Sequence, residues 1–308
     1  MNKENNHRLI STIKDILNKN YNLEVCREQA SLIGQGIDFL VIHLHSKKLG
    51  DIAVRTPKMR HINYGNETYD SLYFLKKEKK IYKYCQNFDF PVPKFYFIHE
   101  SDDIIFFVYE YVINDRTNIP PNQLAHILNK LHSLPIEQLS DIRINEHENT
   151  NFNLMLASRI QDRTQKLNYI NPIFPTLDKN ILIKFINHGD RRSLLHMDIR
   201  PDNILTRDNK IVSIIDWSYA IIGDPLLEVI RIEEFSIANG YSLFDHSFLD
   251  HYNIHSYADI SDITELIYRL DAALMITLVF TENPRFKNLL NRQLDRTFRF
   301  LKELKSMV

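Results

Sequence analysis

Hydrophobic and polar positions divide the chain into a β-rich first part and a mainly helical second part. The first part carries short runs of β-branched and aromatic residues, of which residues 104–112 form the strongest. Two helices are predicted there, one over residues 9–17 and one over the mixed charged and aromatic residues 68–86. We therefore predict an α+β fold, with a sheet-rich lobe over residues 1–112 and a helical lobe over residues 113–308.

Turn and breaker residues refine this pattern. Residues 31–44 predict a strand, a glycine turn and a second strand, and residues 50–57 predict a third strand that ends at Pro57. Residues 95–98 predict a further strand. In the helical lobe, apolar residues at three- and four-residue steps predict helices over residues 121–132, 180–187, 226–239, 263–280 and 285–305.

One β-hairpin interrupts the helical lobe. The apolar residues 204–206 and the β-branched residues 211–215 flank a polar turn cluster over residues 207–210. Asn203 precedes the first strand and Asp216 follows the second, so a hairpin is expected to bring them together, with Asp198 a short loop upstream. Three oxygen-bearing side chains at one point suit Mg²⁺, a hard cation that prefers oxygen ligands and is commonly coordinated by substrate phosphates as well.

The spacing of these residues is that of a kinase catalytic loop. His196, Asp198 and Asn203 form the pattern H-x-D-x-x-x-x-N, and Asp216 follows at the end of the hairpin. Together with Asp216-Trp217-Ser218 and Gly223-Asp224-Pro225, this segment resembles the aminoglycoside phosphotransferase superfamily, protein-kinase-like enzymes that phosphorylate antibiotics and small metabolites. The resemblance implies a two-lobed protein-kinase-like fold, a GTP or ATP phosphate donor and Mg²⁺.

The resemblance also implies roles for the loop residues. Asp198 is expected to be the catalytic base that orients the acceptor hydroxyl, and Asn203 and Asp216 are expected to hold the metal. His196 is expected to brace the loop by hydrogen bonding rather than to take part in the chemistry. Asp224 precedes Pro225, which is a helix-start signature, and is expected to cap a helix.

The sheet-rich lobe is expected to hold the nucleotide. Gly34 and Gly36 could let the backbone approach the phosphates, and Arg55 stands where a protein kinase carries its lysine. Lys58 is an alternative cation. The carboxylate that orients Arg55 is expected to be Glu78, with Glu67 as its rival. By resemblance to the fold, the backbone of Glu110 and Val112 should border the nucleobase.

Composition excludes several partner classes. The chain has 308 residues and a formal net charge of −1, which gives no electrostatic case for binding nucleic acid. No run approaches the roughly 18 apolar residues of a transmembrane helix, so no membrane partner is expected. Cys26 and Cys85 match neither a metal-ligand spacing nor a disulfide framework, which predicts reduced thiols in a cytoplasmic protein.

Two features bear on the acceptor. Residues 36–39 (Gly-Ile-Asp-Phe) and 55–58 (Arg-Thr-Pro-Lys) are similar to patterns of macrolide 2′-phosphotransferases. This resemblance implies an enzyme that confers resistance by phosphorylating the 2′-hydroxyl of a macrolide amino sugar. Met197 and Glu228 depart from the pattern, since a smaller residue and an aspartate are expected there.

The second feature is an acidic segment. Residues 224–271 contain ten acidic and two basic side chains, and a negative wall would attract a cationic antibiotic. Six aromatic residues of this segment could line an apolar cleft: Phe235, Tyr241, Phe244, Phe248, Tyr252 and Tyr257. An aminoglycoside, an amino alcohol or a sugar remains an alternative acceptor. A non-catalytic nucleotide-binding regulator is the alternative from another functional class, and Arg55 in place of lysine is its only support.

Overall fold

The computed structural model describes residues 3–36, 38–64, 67–139, 141–142, 151–186, 191–253 and 261–308. The chain forms two compact units, each with its own core. The sheet unit comprises Met1–Arg116, Leu205–Arg207 and Val212–Ser218. The helical unit comprises Thr117–Ile204, Asp208–Ile211 and Tyr219–Val308. The predicted α+β class is confirmed.

An antiparallel sheet of five strands, in the order β1-β2-β3-β7-β6, forms the centre of the sheet unit. Its strands are β1 (Val25–Gln35), β2 (Phe39–Ser46), β3 (Gly50–Pro57), β6 (Phe95–Glu100) and β7 (Ile105–Glu110). The other elements are α1 (Lys3–Tyr21), β4 (His61–Tyr64), β5 (Glu67–Asp70) and α2 (Ser71–Gln86). In α1, Ile13 and Leu17 are fully buried in the core that β2 and β3 line. Each such side chain stabilises the fold by about 1.5–3 kcal/mol.

Two local predictions for this unit are wrong in detail. Gly34 lies inside β1, where it pairs with Val41, rather than in the turn. A Cβ atom on Gly34 would lie 3.2 Å from Val41 Cβ, which explains the glycine by close packing. The helix predicted from residue 68 begins at Ser71, because the preceding residues pair with β4 and Asp70 accepts a hydrogen bond from Leu72 N at 2.9 Å.

Part of the predicted hairpin returns to the sheet unit. Its strands are β9 (Ile204–Arg207) and β10 (Lys210–Ile214), which form a two-stranded sheet. Asp115 N donates to Thr206 O at 3.0 Å, and Ile214 N donates to Pro91 O at 2.8 Å. These backbone bonds place Asp216 in the same unit as Arg55, although the two residues are 161 positions apart.

The helical unit contains seven α-helices within the described residues. They are α3 (Pro121–His132), α4 (Phe152–Ile170), α5 (Lys179–Leu182), α6 (Pro225–Asn239), α7 (His246–His251), α8 (Asp262–Glu282) and α9 (Lys287–Met307). A short antiparallel pair, β8 (Ser193–Leu195) and β11 (Ile221–Gly223), completes it. The sequence did not predict α4 and α7, and α5 is shorter than the predicted helix. The predicted cap is confirmed, since Leu226 N donates to Asp224 Oδ1 at 3.0 Å.

Two further observations concern the cysteines and the helices. Cys26 and Cys85 are both free, and burial raises the pKa of Cys85.

Among the helices that the structure describes, none combines the length and the apolar character needed to cross a membrane.

Candidate active site

Arg55 is the centre of the polar site in the sheet unit. It lies on β3, flanked in the sheet by Val41 and Phe107, and its side chain is only 7% exposed. Its NH1 donates to the two carboxylate oxygens of Glu78 on α2 at 3.1 and 3.2 Å. Its NH2 donates to Asp216 Oδ1 at 2.8 Å. The structure thus joins three residues that separate stretches of sequence had suggested.

The charged groups of this site shift one another's pKa values. Burial alone would lower the pKa of Arg55, but the carboxylates of Asp216 and Glu78 outweigh it and raise that pKa above its ordinary value. Burial raises the pKa of Glu78, and Arg55 offsets this only in part because Asp216 acts in the opposite direction. One guanidinium therefore pairs with two carboxylates. The buried Lys77, whose Nζ donates to Ser218 O, brings a second cation to this site.

Asp216 is held in an unusual conformation at the end of β10. Its φ is +65°, in the left-handed region that costs a non-glycine residue about 1–2 kcal/mol. Ser218 Oγ donates to its Oδ1 at 2.9 Å, and its side chain remains 31% exposed. The buried Trp217 anchors the turn, since its Nε1 donates to Ile214 O at 3.2 Å. The strain keeps an acidic side chain partly open to solvent beside a buried cation.

The remaining predicted residues of the sheet unit are the alternative cation, the rival carboxylate and the two residues expected to border the nucleobase. Lys58 Nζ donates to Gly36 O at 2.5 Å, so the alternative cation holds the turn after β1. Glu67 begins β5, and its side chain lies outside the described residues. Glu110 ends β7, and its N–H donates to Lys94 O at 2.8 Å. Val112 follows, and in the described part of the chain its backbone groups make no hydrogen bond.

Asp198 and Asn203 form the polar centre of the helical unit. Asn203 Nδ2 donates to Asp198 Oδ2 at 2.7 Å and to Asp198 O at 2.8 Å. Arg200 Nε donates to the same carboxylate oxygen at 3.2 Å, and the Asp198 side chain is 12% exposed. No donor among the described residues bonds to Asn203 Oδ1, which leaves this oxygen for a ligand. Asn203 and Asp216 belong to different units, and their predicted meeting stays a prediction.

His196 has the geometry of a brace. It is fully buried, and its Nδ1 accepts a hydrogen bond from Asp198 N at 3.1 Å. The imidazole therefore holds the loop backbone directly at the residue expected to do the chemistry.

Sequence reasoning missed a second brace. Met197 N donates to Glu228 Oε1 at 2.5 Å, and Met197 has a φ of +65°. The second oxygen of Glu228 lies 2.9 Å from His132 Nε2, and His132 Nδ1 lies 2.8 Å from the Tyr252 hydroxyl. The only sequence signal was Glu228 itself, noted as a glutamate where an aspartate was expected.

Comparison with known proteins identifies the family. Residues 29–256 match the Phosphotransferase enzyme family. The chain belongs to this family. The predicted superfamily is confirmed, and membership makes the chain a small-molecule phosphotransferase. No curated protein matches the sequence.

Solved structures similar to this phosphotransferase support the kinase-like fold. A mutant aminoglycoside 2′-phosphotransferase IIIa in its GDP complex matches with a TM-score of 0.58, 16% identity, and coverage of 96% of this chain and 97% of that chain. A choline/ethanolamine kinase family protein from Mesorhizobium loti matches with a TM-score of 0.60 and 16% identity, and the match covers 96% of each chain. The macrolide 2′-phosphotransferase from Brachybacterium faecium matches with a TM-score of 0.55 and 13% identity, and the match covers 92% of this chain and 97% of that chain. At these identities the likeness shows the fold alone.

In the described part of residues 224–271, most acidic side chains of this phosphotransferase have partners within the chain rather than forming the predicted free negative wall, and Asp259 lies outside the described residues. Asp224 bonds to Arg191 and Tyr268, and Glu234 bonds to Arg269 and Arg296. Glu228, Glu233, Asp245, Glu265 and Asp271 also have hydrogen-bond or ion-pair partners in the chain. Counting charges along the sequence missed these partners, several of which come from α4 and α9.

The predicted aromatic lining is partly core. Phe248 is fully buried and stacks on Tyr252, with 5.6 Å between ring centroids. Tyr257 lies outside the described residues. Phe235, Tyr241 and Phe244 are half-buried.

Proposed function

We propose that this enzyme transfers the γ-phosphoryl group of ATP or GTP to a hydroxyl group of a small molecule. The observation that carries the proposal is the convergence of Glu78 and Asp216 on the buried Arg55. A fixed cation with planar, bidentate donors is suited to phosphate oxygens, and a carboxylate beside it is suited to a metal that shares those phosphates.

In this proposal Asp198 positions the acceptor hydroxyl and takes its proton. The hydroxyl oxygen forms a bond to the γ-phosphorus while the bond from that phosphorus to the leaving diphosphate breaks. Phosphoryl transfer has a loose transition state, so orientation and charge neutralisation dominate over strong basicity. Asn203 and Arg200 hold the Asp198 carboxylate by hydrogen bonds, which supports this role.

Asn203 Oδ1 and Asp216 are the groups proposed to hold Mg²⁺. A bound Mg²⁺ would neutralise the phosphates, and it commonly takes one or two protein oxygens and fills its shell with waters and substrate oxygens.

Backbone groups are proposed to complete the nucleotide site. Val112 supports this role, since its N–H and C=O have no hydrogen-bond partner among the described residues. Glu110 precedes it at the end of β7, and Gly34 and Gly36 lie at the end of β1. One similar structure holds GDP, so the donor test should include GTP.

For the acceptor, a macrolide 2′-hydroxyl is the candidate that the motifs at residues 36–39 and 55–58 suggest. An aminoglycoside or an amino alcohol is the alternative from the same fold. The electrostatic support for a cationic antibiotic is weakened, because most of the acidic side chains of residues 224–271 are paired within the chain.

The test is diphosphate formation by purified protein with Mg²⁺, ATP or GTP, and a panel of macrolides, aminoglycosides, amino alcohols and hydroxy acids. We expect one acceptor class to stimulate turnover, with a phosphorylated product by mass spectrometry. Asp198→Asn should abolish that turnover and keep nucleotide binding. Nucleotide binding without any turnover that depends on Asp198 would favour a regulator instead.

A further inference from the structure

A second buried ion cluster lies in the helical unit. Arg159 on α4 makes a two-pronged contact with Asp271 on α8, with both donor–acceptor distances at 2.8 Å. Arg163 NH1, one turn further along α4, donates to Asp271 Oδ1 at 2.7 Å and to Asp271 O at 2.9 Å. Arg231 NH1 on α6 lies 3.8 Å from Asp271 Oδ2. Two helices therefore supply three guanidinium groups to one carboxylate on a third helix.

This cluster has an excess of positive charge. Asp271 is fully buried, and the three arginine side chains are 7–18% exposed. Among the described residues, Asp271 is the only carboxylate within ion-pair distance of them. Burial lowers the pKa of Arg163 and of Arg231, and Asp271 only partly offsets this while Arg159 adds to it. Buried charges are normally paired, so a surplus of two cations needs another partner.

Arg231 is the least satisfied member. Within the described residues its guanidinium makes no hydrogen bond, and its Nε is buried without a partner. Its Cζ lies 5.7 Å from the centroid of the Phe235 ring, a contact that uses none of its five donors. A buried donor that stays unmet costs about 1–3 kcal/mol, and more for a charged group. Such a residue indicates a ligand that supplies acceptor oxygens.

The cluster also lies near the proposed chemistry. Arg231 lies one turn after Glu228 on α6, and Glu228 Oε1 accepts a hydrogen bond from Met197 N, the residue before Asp198. In keeping with this placement, Asp198 raises the pKa of Arg231, and Tyr219 acts in the same direction on both Arg231 and Arg163. A neighbouring cluster serves as a contrast, since Arg269 and Arg296 share Glu233, Glu234 and Glu265. Buried arginines of this unit are thus not generally short of acids, and the surplus is specific to the group beside Asp198.

We propose that Arg231 and Arg163 form a subsite for an anionic oxygen group, a carboxylate or a phosphate ester, on the acceptor whose hydroxyl is presented to Asp198. This inference rests on the proposed phosphotransferase function and gives it a substrate class. The guanidinium fork matches the oxygens of either group in a way that neither a macrolide nor an aminoglycoside amine can use. The acceptor is then a hydroxy acid or a phosphorylated polyol.

The first experiment compares acceptors that differ only in the anionic group. Gluconate is paired with sorbitol, glycerate with glycerol, and glycerol 3-phosphate with glycerol, and one macrolide and one aminoglycoside are included. The carboxylate and phosphate members separate the two sources of anionic oxygen. We expect kcat/KM for at least one anionic member to exceed that of its neutral partner by about 10- to 100-fold, the range of one or two charge-assisted hydrogen bonds.

Variants connect that preference to the cluster. Arg231→Met should raise KM for the anionic acceptor by about 10- to 100-fold and leave KM for the nucleotide unchanged. Arg231→Lys, which keeps the charge without the fork, should recover part of the loss. Arg163→Gln is the second variant in case Arg231→Met fails to fold, and Arg299→Gln on the exposed face of α9 is the charge-matched control.

A binding measurement makes the test independent of turnover. Malonate is titrated by calorimetry into the enzyme saturated with ADP and Mg²⁺. Binding by the wild type, by Asp198→Asn and by Arg299→Gln, with at least tenfold weaker binding by Arg231→Met, would support the subsite. Equal malonate affinity in the wild type and Arg231→Met would overturn the proposed subsite. Asp198-dependent turnover of a macrolide or an aminoglycoside, with the same KM for that acceptor in the wild type and in Arg231→Met, would also overturn it. In that last case the proposed phosphotransferase function would still stand.

Discussion

The two buried ion clusters are built from the same chemical groups in opposite proportions. In the sheet unit, one arginine, Arg55, pairs with the carboxylates of Glu78 and Asp216. In the helical unit, Asp271 alone meets three arginines. Both clusters are largely buried, so solvent screens neither of them well.

The pKa directions show what this difference means. The pKa of Arg55 is raised and the pKa values of Arg163 and Arg231 are lowered, although all three side chains are buried. Burial acts downward in every case, so the number of carboxylate partners decides the direction. The partly exposed Asp216 beside Arg55 is suited to a metal ion, and a cluster with too few anions is suited to an anionic substrate group.

Removing the catalytic carboxylate should have the largest effect. We expect Asp198→Asn to lower kcat by about 10³- to 10⁴-fold, because a positioned base contributes up to that factor. Nucleotide affinity should stay unchanged, since the proposed nucleotide residues lie in the sheet unit. Steady-state kinetics and calorimetry measure the two quantities. The control is Asp202→Asn, whose side chain is 80% exposed, and a kcat within threefold of the wild type for Asp198→Asn would contradict the assignment.

Removing the single carboxylate of the helical cluster should mainly affect stability. We expect Asp271→Asn to lower the free energy of unfolding by about 3–5 kcal/mol, because three buried guanidinium groups lose their counter-ion. Urea denaturation measures the change. Glu282→Gln is the matched control, since Glu282 pairs with Lys166 on the surface and such pairs contribute about 0–1 kcal/mol.

The same variant gives a pH signature. Burial would raise the pKa of Asp271, but Arg159 and Arg163 outweigh it and lower that pKa below its ordinary value of 3.8. The stabilisation by Asp271 is therefore complete above that ordinary value and is lost as the pH falls through the lower folded pKa. The stability difference between wild type and Asp271→Asn should be constant from pH 7 to 5 and shrink below about pH 4. A difference that grew on acidification would contradict this.

In the sheet cluster, charge and geometry can be separated. Arg55→Met should lower kcat/KM for the nucleotide by about 10²-fold, because it removes the proposed phosphate cation. Arg55→Lys should stay within about tenfold of the wild type, since lysine binds phosphate as a point charge. Arg60→Met, on a half-buried ion pair with Asp70 in the same unit, is the control. Equal losses in Arg55→Lys and Arg55→Met would show that the two-carboxylate geometry matters more than the charge.

The smallest effect is expected at Glu228, which holds the backbone of the catalytic loop at Met197. Glu228→Gln should lower kcat by about tenfold, because Met197 N loses a charge-assisted bond and the loop that carries Asp198 is less well oriented. KM values should change little. Glu228→Asp should restore part of kcat if its shorter side chain still reaches Met197, and stopped-flow measurement of the chemical step tests this. A fall in stability with kcat unchanged would make the brace structural only.

The extent of sequence prediction differs between the proposed catalytic and metal-binding residues and the helical ion cluster for a physical reason. Asp198, Asn203 and Asp216 lie within 19 positions of each other on a loop and a hairpin, so local patterns were enough to predict them. Arg159, Arg231 and Asp271 come from three separate helices, and no local pattern links them. The acidic segment was misjudged for the same cause, since partners such as Arg191 and Arg296 lie outside it.

By itself the sequence determined the α+β class, the family motif and the residues proposed for phosphoryl transfer, because strand and helix periodicity and loop spacing are local properties of the chain. Only the tertiary structure decided that Glu78 pairs with Arg55, that Glu228 braces Met197 and that most of the described acids of residues 224–271 have hydrogen-bond or ion-pair partners in the chain. Ion pairing depends on distances between segments far apart in the chain. The balance of charge in each buried cluster, and with it the chemistry of the ligand that would complete it, is therefore a property of the fold.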